Sequence, residues 1–266
     1  MTLTRGNWKI NEIIKHLKIM TEFITKFDTT AELATFSATT GFGRPHVSLT
    51  EDDSKVHYFE DPYKGHQYVE IGGLKWATMN IGASQPSDYG LYFQWGDTQG
   101  YTAEQVGSGE GQKYFGWEDY KYGNGTSSPG DTGMTKYNET DGLTTLEAVD
   151  DAAVANWGGS WRMPTTDEFQ ALGAAVNTAW TQVNTVYGIL CTDKTDSSKT
   201  LFFPAAGICY SGSVRRIGTS GGYWSSSLLT YDRQYAYGLF FDSADALWDN
   251  IDYRRFYGFS VRPVVG

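Results

Sequence analysis

Residues Gly221–Arg262 read GGYWSSSLLTYDRQYAYGLFFDSADALWDNIDYRRFYGFSVR, and the two ends of this stretch differ in kind from its middle. The ends, GGYWSSS and GFSVR, combine small residues with single large rings, as a packed frame does. The middle carries Tyr231, Tyr235, Tyr237, Phe240, Phe241, Trp248, Tyr253, Phe256 and Tyr257, interleaved with Asp232, Asp242, Asp245, Asp249, Asp252, Arg233, Arg254 and Arg255. A solvated loop does not normally hold so many rings. Tyr, Trp and Arg give large contact area for little lost rotamer freedom, and they dominate interface hot spots. Strand alternation over Tyr235–Asp242 puts Tyr235, Tyr237, Leu239 and Phe241 on one side and Ala236, Gly238, Phe240 and Asp242 on the other. Leu239 and Phe241 are expected to point inward, and Tyr237 is assigned to the same buried side. The expected binding face is then drawn from Tyr231, Asp232, Arg233, Tyr235, Phe240, Asp242, Asp245, Leu247, Asp249, Ile251, Tyr253, Arg254 and Phe256, with Tyr235 kept because it lies at the mouth of the strand.

The same region is also marked by what it lacks: from Thr200 to the end there is no Lys, Glu or Met. An AAC or AAT codon randomised at its adenines yields Tyr, Asp, Phe, Leu, Ile, Arg, Gly, Ala or Ser, but never Lys, Glu, Met, Gln or Trp. In the middle stretch only Gln234 and Trp248 break that rule. A β-rich surface that prefers Tyr, Phe and Asp-bounded turns gives a similar composition. Both explanations stay open at this point.

Working outward, 266 residues suffice for one large domain with an appendage. The net charge of −10 argues against a nucleic-acid surface, because phosphate neutralisation needs a basic patch and no Lys/Arg cluster is present in the sequence. By the same reasoning acidic partners of any kind are not expected. No apolar run approaches the ~20 residues needed to cross a bilayer, so membrane insertion is not expected. The opening MTLTRGNWKINEIIKHLKIM has neither a clean apolar core nor a small-residue cleavage site, so no signal peptide is expected. Two cysteines, Cys191 and Cys209, make neither a disulfide framework nor a zinc site and are expected as buried thiols in strands, able to pair only if those strands are neighbours.

Residues 1–66 differ in texture and are expected to form an attachment segment. Ile10, Ile13, Ile14 and Leu17 predict a helix over 9–20, Phe23, Thr25 and Phe27 a short extended piece, Thr30–Leu33 one helical turn, and HVSLTEDDSKVHYF a hairpin turning at Glu51–Ser54. From Gln67 onward Val69/Ile71 and Leu74/Trp76 flank Gly72-Gly73, a hairpin with a primed turn. Gly90–Gly96 predicts a strand and residues 97–142 a long loop packed down by its rings. A helix is expected from Val149 through Ala155, stopping at Trp157-Gly158-Gly159. A second starts at Pro164–Glu168, with Thr165 and Glu168 at capping-box spacing and Phe169, Leu172 and Val176 as its buried stripe. Strands are expected at Val186–Thr192, Leu201–Tyr210 and Phe259–Val264.

In this order EIGGLKWATMNIG, DYGLYFQWGD, DDAAVANWGGSWRMPTTDEFQAL, LFFPAAG, GGYWSSS and GFSVRPV resemble the Fibrobacter succinogenes major paralogous domain, a branch of the C-type-lectin fold close to the formylglycine-generating enzymes. The resemblance covers Gln67 to about Val264. It implies an α+β, C-type-lectin-like domain over 67–266: two helices against a twisted antiparallel sheet, terminal strands adjacent, long loops on one face. The chain also resembles the variable proteins of diversity-generating retroelements, in which that face is randomised. Members of the family are mostly exported by bacteria, and the lack of a recognisable signal peptide departs from that, favouring a phage virion protein, or an incomplete N-terminus, over a cell-surface lipoprotein.

All four histidines, His16, His46, His57 and His66, precede residue 67, which removes histidine-based acid–base chemistry, a Ser-His triad and histidine metal ligands from the domain. Formylglycine-generating relatives use a cysteine pair near the C-terminus, and no cysteine follows Cys209 here. Asp242, Asp245, Asp249 and Asp252 are the carboxylates that would have to converge for glycoside hydrolysis. Trp248-Asp249-Asn250 resembles the calcium signature of sugar-binding lectins with its order swapped and its companion tripeptide absent, so no metal and no cofactor are expected. Trp76, Trp95, Trp157, Trp161 and Trp224 are assigned to the frame. The expected function is non-enzymatic binding of a protein or glycan on a bacterial surface by a phage tail or virion protein, its N-terminal segment docked to a phage or envelope assembly and a homo-oligomer left open. The alternatives are a bacterial surface adhesion or structural module and, less favoured, a hydrolase using the Asp cluster.

Overall fold

The Gly72-Gly73 turn predicted from sequence forms as expected. Both glycines take positive φ, 63° and 79°, which a primed two-residue turn requires. The turn joins β3 (Tyr68–Ile71) to β4 (Leu74–Ala77), and the C-terminal β13 (Val264–Val265) pairs antiparallel with the other edge of β4. The beginning and the end of the chain's larger compact unit therefore share one sheet. The computed structural model describes residues 46–49, 56–59, 61–126 and 130–266. The chain divides into two compact units, 1–65 and 66–266. In the first, β1 (His46–Leu49) and β2 (Val56–Phe59) pair in antiparallel register, so the predicted hairpin forms. The predicted helix over 9–20, the extended piece at 23–27 and the turn at 30–33 lie outside the described residues.

The second unit mixes helix and antiparallel sheet, an α+β architecture. Helix α1 (Ala152–Trp157) starts at Asp151, which follows a 3-10 turn at Ala148–Asp150, and Gly158 ends it at φ 64°. One Asp151 oxygen accepts from the backbone N–H groups of Ala153 and Val154, and the other accepts from Met163 N at 2.8 Å, which ties the helix start to the next segment. Helix α2 (Thr166–Ala175) has the predicted capping box: Glu168 N donates to Thr165 Oγ1, and Thr165 N donates to the Glu168 carboxylate at 2.8 Å. Phe169 and Leu172 are buried as expected. Val176, expected as the third residue of that stripe, is also buried but begins β5 (Val176–Val183), a strand that follows the helix with no loop and that the helical spacing concealed.

β5 pairs with β6 (Val186–Asp193), and β6 with β7 (Thr200–Pro204). The expected strand Leu201–Tyr210 is two strands, β7 and β8 (Ile208–Tyr210), because Gly207 takes φ 75° between them; β8 forms a small hairpin with β9 (Ser213–Arg215). The expected strand Gly90–Gly96 makes only isolated bridges, Tyr92 to Tyr101 and Phe93 to Phe259, and Phe259–Val264 is likewise a series of bridges before β13. Both segments run buried between layers, so their backbone polar groups bond whatever passes rather than one continuous neighbour. The loop over 97–142 is indeed packed down: Phe115, Trp117, Tyr120 and Tyr122 are buried, and Tyr114 alone of its five expected rings is exposed.

At the centre lies the three-stranded sheet β10 (Ser220–Leu228), β11 (Tyr235–Asp242) and β12 (Ala246–Arg254), in that order. It is covered on both faces. Trp224, Ala236, Phe240, Phe256 and Phe259 belong to one core cluster with Trp95 and Tyr120, while Tyr223, Leu239 and Phe241 belong to another with Trp76, Phe169 and Phe203. Trp224 stacks on Phe259 at 4.4 Å, and its indole N–H donates to Phe93 O at 2.8 Å. Trp76, Trp95, Trp161 and Trp224 are all buried frame residues, and Trp157 is half-buried. Gly173 of α2 leaves space for Trp248 of β12, since a Cβ there would sit 2.4 Å from the indole Cγ. The two cysteines are buried and free, Cys191 in one core cluster and Cys209 in another, so they do not pair. Among the described residues no helix is long and apolar enough to cross a membrane.

Candidate functional site

Burial on both faces of the central sheet corrects part of the expected binding face. Phe240 and Phe256 were expected at the surface, yet each is only 8% exposed and packs in the core cluster around Trp224. Strand alternation separates two faces but cannot say that one is solvent, and here neither is along most of β11. Tyr237 is corrected in the opposite direction: its parity matches Leu239 and Phe241, but it sits near the strand's end and is only partly buried.

The remaining expected residues divide between two ends of the sheet. Asp242 and Asp245 lie at the β11–β12 turn, where Asp242 Oδ1 accepts from Ala244 N and Asp245 N. Tyr235 lies at the other end of the eight-residue β11, roughly 23 Å away at strand rise. Asp252 pairs with Tyr237, five positions from Asp242, or about 17 Å, so Asp252 and Asp242 do not meet at the ~5–9 Å that glycoside hydrolysis uses. The side chains of Leu247, Asp249 and Ile251 lie outside those described. The register of β12 against β11 shifts between Gly238 and Phe240, a bulge at the position of Trp248–Asn250.

What the structure does bring together is the other end: the turn 229–234, the end of β12, and the β8–β9 hairpin. The turn is built by Asp232, whose Oδ1 accepts from Gln234 N while its carbonyl accepts from Tyr235 N. Tyr231 at its tip is 79% exposed, the highest value of any large hydrophobic side chain described. Across the strand pair, Arg254 Nε donates to the Tyr235 hydroxyl at 3.1 Å, and its guanidinium lies 5.9 Å from the Tyr235 ring. On the opposite face of β12, Tyr253 packs against Phe240 and Phe259 and reaches Tyr257 at 5.8 Å. Tyr257 contacts Tyr210 at 5.1 Å, and Arg215 caps the Tyr210 ring at 4.4 Å. The tyrosines thus form a rim that wraps the end of the sheet, with Tyr257 joining its two faces, in place of the single flat face expected.

Electrostatics within the rim follow from partial burial. Burial pushes the Tyr253 hydroxyl up to about 12 against the lowering pull of the Arg216 guanidinium. Burial likewise raises Tyr257 and Tyr237, the latter helped by Tyr231 and Asp252. These hydroxyls therefore stay neutral donors at ordinary pH. The Tyr235 hydroxyl holds Arg254 above its usual value by accepting its N–H.

Beneath the rim, Arg255 is fully buried and holds the turn in place. Its Nε donates to the Tyr120 hydroxyl at 2.7 Å, Nη1 to Arg233 O at 2.9 Å and Tyr137 O at 3.3 Å, and Nη2 to Lys136 O at 2.9 Å. The guanidinium also stacks 4.9 Å from the Trp95 ring. Arg233 is itself turned inward, Nη1 donating to Leu143 O at 3.1 Å. Lys136 continues into a second cluster, in which Asp150 accepts from Tyr122, Tyr137, Lys121 and Lys136 and is held well below the usual carboxylate range by those donors, although its burial works the other way. That cluster fastens the long loop to the 3-10 turn before α1.

Tyr210, Arg215, Arg216 and Tyr257 were not among the expected site residues. Tyr257 was visible as a ring in the decisive stretch. The other three lie before Gly221, and long-range pairings such as the Cys209–Gly258 bridge, which no local pattern encodes, carry them to the rim. His66, expected outside the domain, belongs to its compact unit and stacks on Trp157 at 3.6 Å. Among the described residues no group of three or more His, Cys, Asp or Glu is placed to hold a metal ion. Compared with protein-family models, with curated proteins and with solved structures, the chain matches none.

Proposed function

We propose that residues 66–266 form a ligand-binding domain, non-enzymatic, on a C-type-lectin-like scaffold, and that its Tyr/Arg rim is the binding site. The observation that carries this is the rim itself: Tyr231, Tyr235, Tyr253 and Tyr257, with Arg254, gathered at one end of a sheet whose two faces are otherwise sealed by core. Rings fixed from below and open above give contact area at low entropic cost. The scaffold assignment rests on the ordered motifs, supported by the adjacent terminal strands β3–β4–β13, the two helices and the long packed loop. The proposed setting is a phage tail or virion receptor-binding protein diversified by a retroelement, acting on a protein or glycan at a bacterial surface. A near-copy of the Gly221–Arg262 coding segment, differing only at adenines and lying beside a reverse-transcriptase gene, is the expected genomic signature of that setting.

The binding role is tested by panning a random dodecapeptide library on the protein and on its Tyr235→Ala/Arg254→Ala/Tyr257→Ala variant. Peptides enriched by the unmodified protein should lose at least about tenfold in affinity for the variant, as expected when anchor residues are truncated. Enriched peptides that bind both equally would place binding elsewhere and sink the assignment.

A further inference from the structure

The chain as a whole is acidic, at −10, yet its rim is lined by guanidinium groups. Arg215, Arg216 and Arg254 are exposed, and among the described residues none of the three forms a salt bridge: the arginine that does is Arg162, with Glu168. Tyrosines stand beside them, Tyr210 under Arg215 and Tyr235 beside Arg254, and Arg216 lies near enough to Tyr253 to act on its hydroxyl. The carboxylate of the turn, Asp232, accepts from Gln234 N and acts on Arg254 through space without forming an ion pair with it. Three planar, permanently charged forks that form no ion pair among the described residues, spaced among fixed phenols, match carboxylate oxygens in geometry and charge.

We infer that the rim recognises an acidic polypeptide segment, a run of Asp or Glu side chains. This rests on the binding role proposed above and reverses the expectation, drawn from net charge and the lack of a Lys/Arg cluster in the sequence, of no acidic partners. Net charge sums over the whole surface, whereas a partner meets one patch, and local potential decides docking. The acidic remainder of the chain then contributes to specificity: an acidic segment is repelled from other positions and held at this one. A polypeptide is favoured over a sulfated or carboxylated glycan because the ring contacts are tyrosines on a curved rim flanking the arginines, a composition typical of protein-binding surfaces.

Fluorescence anisotropy with fluorescein-labelled decaglutamate as the probe tests this on the full chain, with decaserine as control. Decaglutamate is expected to bind saturably and to weaken as salt rises from 50 to 300 mM, whereas decaserine is expected not to bind. The R215Q/R216Q/R254Q variant should bind at least about tenfold more weakly with its urea midpoint unchanged, and R215K/R216K/R254K, which keeps the charge but loses the fork, should fall between it and the unmodified protein. If the triple Gln variant does not fold, the single R216Q in the 216–219 turn after β9 carries the same test with a smaller loss. Binding that survives these Gln substitutions, or no binding of decaglutamate at millimolar concentration, would overturn the inference. A heparin oligosaccharide that binds through the same arginines while decaglutamate does not would overturn the polypeptide class. Failure here is separable from failure of the binding role: panned peptides that need the rim but carry no acidic residues refute this inference alone, whereas peptides that ignore the rim refute both.

Discussion

Replacing Arg255 by Lys should cost far more than a charge-conserving substitution at a surface site. The Arg255 guanidinium satisfies four acceptors at once, the Tyr120 hydroxyl and the carbonyls of Lys136, Tyr137 and Arg233, from a position with no solvent access. These acceptors are arrayed around a planar fork, and an ammonium is a point charge that reaches two of them at best. Two buried carbonyls are then left without donors, at about 1–3 kcal/mol each, or about 4 kcal/mol together. For a unit of about 200 residues, each kcal/mol corresponds to about 2–4 °C, so the melting temperature should fall by about 8–16 °C. Urea unfolding followed by tryptophan fluorescence gives the free energy directly, and an unchanged slope would show that the variant unfolds from the same state. Because Arg255 holds the carbonyl of Arg233, hydrogen exchange should also quicken in the 231–235 turn at conditions where the variant is still folded. A loss below about 1 kcal/mol, with the turn still protected, would refute the view that Arg255 builds the rim from beneath.

Three further outcomes follow from other parts of the structure. Asp150→Asn should cost about 3–5 kcal/mol at neutral pH, because it strips a buried, fourfold hydrogen-bonded carboxylate of its charge while Lys121 and Lys136 remain charged. The Asp150 pKa in the folded state lies below its ordinary 3.8, so its stabilisation is complete above about pH 5 and is lost as pH falls below 4; urea midpoints between pH 5 and 2.5 should therefore drop less in the variant than in the unmodified protein. Trp224→Ala should destabilise by about 3–5 kcal/mol, as for a large buried ring, and Tyr231→Ala by under ~0.5 kcal/mol; equal shifts in melting temperature would erase the division between frame and rim. Binding of any panned peptide should be unchanged by a chelator, and a loss restored by Ca²⁺ would return a calcium-dependent lectin to first place.

The parts of the fold legible in the sequence are those written in local chemistry. Gly72-Gly73, the Thr165–Glu168 capping box and Gly158 after Trp157 each encode their own backbone geometry, and the structure has all three. What was not legible depends on what lies on the far side of an element. Phe240 alternates with Leu239 and Phe241 as a surface residue would, but the core cluster around Trp224 buries it. Gly90–Gly96 has a strand's composition, but its neighbours arrive as single bridges from Tyr101, Phe259 and Arg255. The rim was half visible: Tyr231, Tyr235, Tyr253 and Arg254 stood out by composition, whereas Tyr210, Arg215 and Arg216 reach it through the pairing of Cys209 with Gly258, a contact 49 residues apart in sequence. Arg255 carried no local sign of burial, because an arginine among tyrosines and aspartates reads as surface until its acceptors are known.

The most direct test of the binding site is hydrogen exchange of the full chain with and without a saturating panned peptide. Slowed exchange is expected in three segments, 210–216, 231–235 and 252–257, and nowhere else to a comparable degree. Protection centred on the β5–β6 strands or on the Asp242–Asp245 turn, with those three segments unchanged, would contradict the account.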